Sequence, residues 1–189
     1  TAFFAVVVAG PASPWGPVSP VPIDGPGPNP LLQDHPLMAV HPPMLYLGFV
    51  GLAVPFALTV DALAGGRLDH AWLRLARSWT LAPWSLLTLG LVLGAWWSYA
   101  VLGWGGYWAW DPVENVALLP WLTATAFLHS AMVGRRSGQL ATWNVVLVCA
   151  SFALTLFATL ITRSGGLDSV HAFPRSTLGS LFAGLLGAV

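Results

Sequence analysis

Charge is almost absent from this sequence, and what little there is falls between apolar runs of about 20 residues. Only 7% of the 189 residues are charged and 56% are hydrophobic, whereas soluble domains carry about 25% charge. A chain so poor in charge cannot cover a water-facing surface, so most of its solvent is lipid. The pattern predicts an all-α integral membrane protein, a polytopic transmembrane helix bundle. Residues 1–9 read as the end of a span, and 42–64, 80–102, 112–133 and 140–162 as full spans. Each full span is long enough to cross about 30 Å of hydrocarbon. Residues 176–189 read as a truncated span. Both ends read as cut, so the expectation is an internal piece of a longer protein.

The connections differ in character. Residues 10–41 are rich in Pro and Gly and read as an irregular loop. Pro42 and Pro43 suit the start of the first span, and Pro55 is expected to kink it. In 65–79, Leu68, Trp72, Leu75 and Trp79 fall on one stripe with Arg67, Arg74 and Arg77 largely off it, as in a short helix lying in the membrane surface. The loops 65–79 and 134–139 hold five of the seven arginines. The positive-inside rule therefore places them in the cytoplasm and puts the loops 10–41, 103–111 and 163–175 outside. Net charge is zero, which carries no nucleic-acid signal. Cys149 is the only cysteine and sits in an apolar run, as a packing residue would, so neither an internal disulfide nor a thiolate metal site can form.

The outer face then carries two histidines and an aromatic loop. His41 stands at the mouth of the first span, and His171 precedes the last one. Between them in sequence comes Trp104-Gly105-Gly106-Tyr107-Trp108-Ala109-Trp110-Asp111. Flat rings beside glycines, which let a planar body approach the backbone, suit stacking on a macrocycle. Two neutral imidazoles suit axial ligation of haem iron. Interfacial tryptophans also serve simply as membrane anchors, and on these residues alone both readings stand. Asp111, Pro112 and Glu114 fit the N-cap, N1 and N3 positions of the third span, close to a capping box. His129 falls 17 residues past Pro112, roughly 25 Å along a helix. It is either a haem ligand whose mate lies elsewhere or a histidine bonded to a neighbouring helix. His35 is a backup ligand in the outer loop, and His70 sits on the other side. Arg163 and Arg175 bracket His171 and suit either haem propionates or solvent.

Trp104 through Asn115 reads WGGYWAWDPVEN and is followed by Pro120-Trp121-Leu122. It resembles the tryptophan-rich WWD signature of haem-handling membrane proteins. The form WDPVEN with a downstream PWL is similar to the CcmF family. So are Asn29-Pro-Leu-Leu-Gln-Asp34, His41-Pro-Pro-Met-Leu-Tyr-Leu-Gly48, and Thr162-Arg-Ser-Gly-Gly leading to Ser169-Val-His-Ala-Phe173. The resemblance runs from about residue 29 to 177. It departs from the common pattern at Tyr107 and Ala109, where an aromatic at 107 keeps a stacking surface.

The resemblance implies a haem lyase of cytochrome c maturation in a bacterial inner membrane, with an external WWD loop on the periplasmic face. Such a protein takes haem from the chaperone CcmE and, with a CcmH-type partner, promotes thioether ligation to apocytochrome c. His41 and His171 would hold the substrate haem b against Trp104, Gly105, Gly106, Tyr107, Trp108 and Trp110. His129 would hold one side of a second haem b. The family protein is several times longer, so this stretch alone is not expected to be fully active. Two rivals come from other classes: a haem transporter that loads a chaperone without ligation, and a b-type electron-transfer membrane protein.

Overall fold

The computed structural model describes residues 2–13, 15, 19–21, 23, 35–137, 140–164, 167, 169, 171 and 178–189, with 135–137 through their backbone alone. Its elements are all helices: α1 (Ala2–Ala9), α2 (Leu37–Gly51), α3 (Ala53–Ala64), α4 (His70–Val101), α5 (Pro112–Ser137), α6 (Ala141–Ser164) and α7 (Leu178–Gly187). Among the described residues, four stretches are long and apolar enough to cross a membrane: Leu37–Ala64, His70–Val101, Pro112–Gly134 and Ala141–Ser164. Large apolar side chains such as Val92, Leu89 and Val146 remain exposed on them. Faces of that kind belong against lipid or other apolar helices. The molecule is an all-helical, polytopic membrane bundle.

Three boundaries differ from expectation. The first helix begins at Leu37, so His41 lies inside it and Pro42 and Pro43 follow within the helix. The two prolines lie past the first turn, so the Met38 and Ala39 carbonyls lose their helical N–H donors. The kink expected at Pro55 takes the form of a break at Leu52, between α2 and α3. Pro55 offers no N–H to the Gly51 carbonyl, and the Leu52 N–H is shared between the Gly48 and Phe49 carbonyls. Finally, 65–79 is not a separate surface helix. After a turn closed by an exposed Arg67–Asp61 ion pair at 3.0 Å, α4 runs unbroken from His70 to Val101. Asp69 caps it, accepting from the Trp72 N–H at 2.8 Å. The face buried in the bundle is Trp72, Leu73, Ala76, Thr80, Pro83 and Leu87, while Leu75 and Trp79 point outward.

The helices are joined by small residues and by hydroxyl–indole bonds. On α2 and α4, antiparallel neighbours, a Cβ on Gly48 would stand 2.5 Å from the Leu87 side chain, and one on Gly90 would stand 2.9 Å from the Leu45 backbone N. Close approach of this kind is how apolar helices gain packing energy in lipid. Between α4 and α5 the Trp84 indole donates to Thr125 Oγ1 at 2.7 Å, the Trp121 indole donates to Thr88 Oγ1 at 2.8 Å, and the two indoles stack. Ser151 of α6 donates to Thr123 of α5, and Trp72 of α4 donates to Thr59 of α3. An apolar core of Ala62, Trp72, Leu73, Ala76, Phe127, Ala131, Leu147 and Val148 fills the end of the bundle opposite His41. Phe182 of α7 meets Phe3 and Phe4 of α1.

Candidate functional site

At the other end, the start of α2, the end of α4, the start of α5 and residue 171 meet around a cavity of about 60 Å³. Its walls include His41, Leu45, Leu91, Gly94, Ala95, Trp108, Val113, Glu114, Ala117 and His171. Two of the three predicted ligand histidines, 130 residues apart in sequence, therefore face one space.

His41 is buried between α2 and α4. Its Nδ1 lies 2.7 Å from the Gly90 carbonyl oxygen. A carbonyl only accepts, so Nδ1 carries the proton and Nε2 keeps its lone pair. The ring packs against Gly94, with Cε1 nearest to it. His171 is held at the same nitrogen by Asp111, with Nδ1 3.3 Å from Oδ2. Its backbone N–H donates to Ser169 Oγ at 3.0 Å, and that hydroxyl donates to Asp111 Oδ2 at 2.8 Å. The buried Trp97 presents an edge-on contact to the ring, with centroids 6.2 Å apart.

Asp111 also caps α5, accepting from the Val113 and Glu114 N–H groups at 3.0 and 3.3 Å. Glu114 reaches back to the Ala109 N–H at 2.9 Å, two residues earlier than a strict capping box would require. These bonds and Asn115 shape the aromatic loop. Asn115 accepts from the Trp108 indole at 3.2 Å and donates to the Trp110 carbonyl at 3.0 Å. Trp110 adopts a left-handed backbone, φ 61°, rare for a bulky residue and a mark of a constrained turn.

Of the loop aromatics, only Trp108 lines the cavity. Tyr107 stacks on Tyr99 with centroids 4.5 Å apart. The Trp104 indole donates to the Gly106 carbonyl at 2.8 Å, and Trp110 is 77% exposed. Together with Gly105 and Gly106 they form an outer rim rather than the cavity wall.

His129 is elsewhere, exposed on α5, well along from the cavity. Its Nδ1 lies 2.8 Å from the Thr125 carbonyl, so it too must donate there and keep a free Nε2. His35 has the opposite arrangement: its Nδ1 accepts from the Leu37 N–H at 3.2 Å. In a neutral ring that places the proton on Nε2, which unsuits it as a ligand through that atom. His70 opens α4 at the far end. Arg163 is half-buried at the end of α6. Arg175, the 29–34 motif, Gly165, Gly166, Val170, Ala172 and Phe173 lie outside the described residues.

Sequence reasoning did not single out Gly90, Gly94 or Trp97, and it quoted Ser169 only as part of the motif around His171. Gly90 and Gly94 carry a readable signal, glycines four apart in an apolar run. Trp97 carries none.

The fold and site define an integral membrane protein in which two histidines, His41 and His171, converge at one end of a helix bundle. The cytochrome c assembly protein family model matches residues 1–167. The cytochrome c-type biogenesis protein CcmF of Pseudomonas aeruginosa is 52% identical over 170 residues, covering 90% of this chain and 25% of the relative. CcmF of Escherichia coli is 48% identical over 161 residues, covering 85% and 25%. A solved structure of cytochrome c haem lyase CcmF superposes with a TM-score of 0.71 at 43% identity, covering 99% of this chain and 29% of that one. The chain belongs to the cytochrome c assembly protein family, as a CcmF homologue, and spans about a quarter of the length of the curated relatives it matches.

Proposed function

We propose that this end of the bundle binds haem as a substrate and presents it for thioether ligation to apocytochrome c, with His41 and His171 as axial ligands. The observation that carries this is that both imidazoles line one cavity and both anchor Nδ1, leaving Nε2 as a lone-pair donor. Metal-ligating histidines are commonly oriented in this way, through the second nitrogen. Trp108 supplies an aromatic wall. Trp104, Tyr107 and Trp110 supply exposed rings at the rim, and Gly105 and Gly106 let a planar body approach the backbone between them.

The cavity volume of about 60 Å³ is far below the roughly 300–1,000 Å³ of small-molecule sites. Admitting a tetrapyrrole therefore requires the walls to separate. The side carrying the 103–111 loop is the natural place, since it closes the site with a turn rather than a packed helix face.

In the proposed reaction, each of two cysteine thiols adds across a haem vinyl group. Sulfur bonds to one carbon and hydrogen to the other, with no net electron change. The protein's contribution is positioning, which saves the entropy of bringing two reactants together. The cytochrome's own histidine then replaces one of the two protein ligands. The proposal extends to haem delivery by CcmE, a CcmH-type partner that presents the apocytochrome, an inner-membrane location and a periplasmic site; the family likeness and the arginine distribution support it. His129, exposed with a free Nε2, is suited to share a second haem b with a histidine outside this stretch. Such a haem would supply electrons to the outer iron.

The test is the absorption spectrum of the full-length protein coexpressed with the haem chaperone, wild type beside a His41→Ala/His171→Ala variant. The expected result is loss of chaperone-delivered haem with a b-type signal retained. Matching spectra would remove the external histidines as ligands and leave the tryptophan loop as a membrane anchor.

A further inference from the structure

We infer that Asp111 is the positioning residue of the outer haem site, fixing His171 as a ligand at the same carboxylate oxygen that caps α5. This rests on the ligand role given to His171 above.

Four donors converge on Asp111 Oδ2: the N–H groups of Val113 and Glu114, the Ser169 hydroxyl and the His171 ring. Capping accounts for the first two and is common at helix starts. The other two come from a segment about 60 residues away in sequence, and capping does not call for them. The Asp111 side chain is only 10% exposed, and a carboxylate that is nearly buried needs its lone pairs filled.

A carboxylate with no proton to give can only accept, so His171 must carry its hydrogen on Nδ1 and offer Nε2. Ser169 reinforces the arrangement: it donates to Asp111 and accepts from the His171 backbone, so both ring and main chain of His171 are tied to the same oxygen. His41 has only a neutral carbonyl behind it. An imidazole backed by a carboxylate is the more basic ligand. The two axial ligands are therefore unequal, with His171 the stronger donor. The geometry further means that the start of α5, the aromatic loop and residues 169 and 171 are positioned together.

The test uses the full-length protein and isolates charge from capping, because asparagine caps a helix about as well as aspartate. Asp111→Asn is expected to lower haem affinity at the outer site by about 10- to 100-fold. It should also raise the reduction potential of that haem while leaving the melting temperature of the apoprotein in place. Wild-type affinity and potential in Asp111→Asn overturn the inference. If Asp111→Asn does not fold, Ser169→Ala carries the test, since it leaves the cap intact: a smaller loss of affinity supports the inference and a wild-type value overturns it. His171→Ala in parallel separates the two levels. If it loses haem while Asp111→Asn does not, only the positioning role fails. If it leaves haem binding unchanged, the ligand reading and this inference fall together.

Discussion

The His41 ring rests on Gly94 so closely that a Cβ at residue 94 would stand 2.5 Å from Cε1 and 2.8 Å from Nδ1. Gly94→Ala must therefore push the ring away and strain its 2.7 Å bond to the Gly90 carbonyl. Overpacking of this kind costs about 1–3 kcal/mol. The expected outcome is loss of the low-spin signature of the outer haem with the second b-type signal preserved, read from difference absorption spectra.

His129→Ala is expected to give the reverse. The side chain is exposed on α5 and, among the described residues, its ring bonds to the Thr125 carbonyl of its own helix. Its removal should change stability by no more than about 0.5 kcal/mol. The second haem signal should disappear from the full-length protein while chaperone-delivered haem remains. Thermal unfolding and the absorption spectrum check the two halves.

The reciprocal indole–hydroxyl bonds predict a measurable contribution to α4–α5 association. Thr125→Val leaves the Trp84 indole without its acceptor, and Thr88→Val does the same to Trp121. Bonds of this sort in membrane bundles average about 0.6 kcal/mol and reach about 1.7. Each variant should unfold earlier in a detergent titration. The double variant should depart from the sum of the two, because the stacked indoles couple the bonds.

Asp69 predicts a pH dependence. The Trp72 N–H bonded to it holds its carboxyl below its ordinary value. A depressed carboxyl contributes stability that is present above its unfolded pKa and lost as pH falls through its folded pKa. Asp69→Ala should melt below wild type at neutral pH, and the gap should close in acid. Asp69→Asn, which caps without a charge, should lose less melting temperature than wild type across that range. Melting curves at neutral and acid pH check both.

The helical, membrane-embedded class was legible because apolar runs of span length separated by sparse charge admit few other folds. Boundaries were less legible, for physical reasons. Pro42 and Pro43 fit a helix start in principle, but the helix begins earlier, at Leu37, and carries them past its first turn. The stripe through Leu75 and Trp79 is consistent with a surface helix. Only the partners Thr59, Ala62 and Phe127 decide that the Trp72–Leu73–Ala76 face is the buried one. At the site, residue types pointed to His41 and His171, but no local pattern shows that Asp111 would serve both helix cap and histidine. That relationship spans 60 positions and exists only in three dimensions. The reach of the aromatic loop was also hidden: its backbone turn sends Trp110 outward and Trp108 inward.

The most direct test of axial ligation is chemical rescue. His41→Gly in the full-length protein, loaded with haem through the chaperone, should lose the low-spin signature of the outer haem. Added imidazole should then restore it, because the space vacated against Gly94 admits a free ring. A His41→Gly protein whose outer-haem spectrum matches wild type before imidazole is added would contradict the assignment of His41 as a ligand, and with it the account of this site.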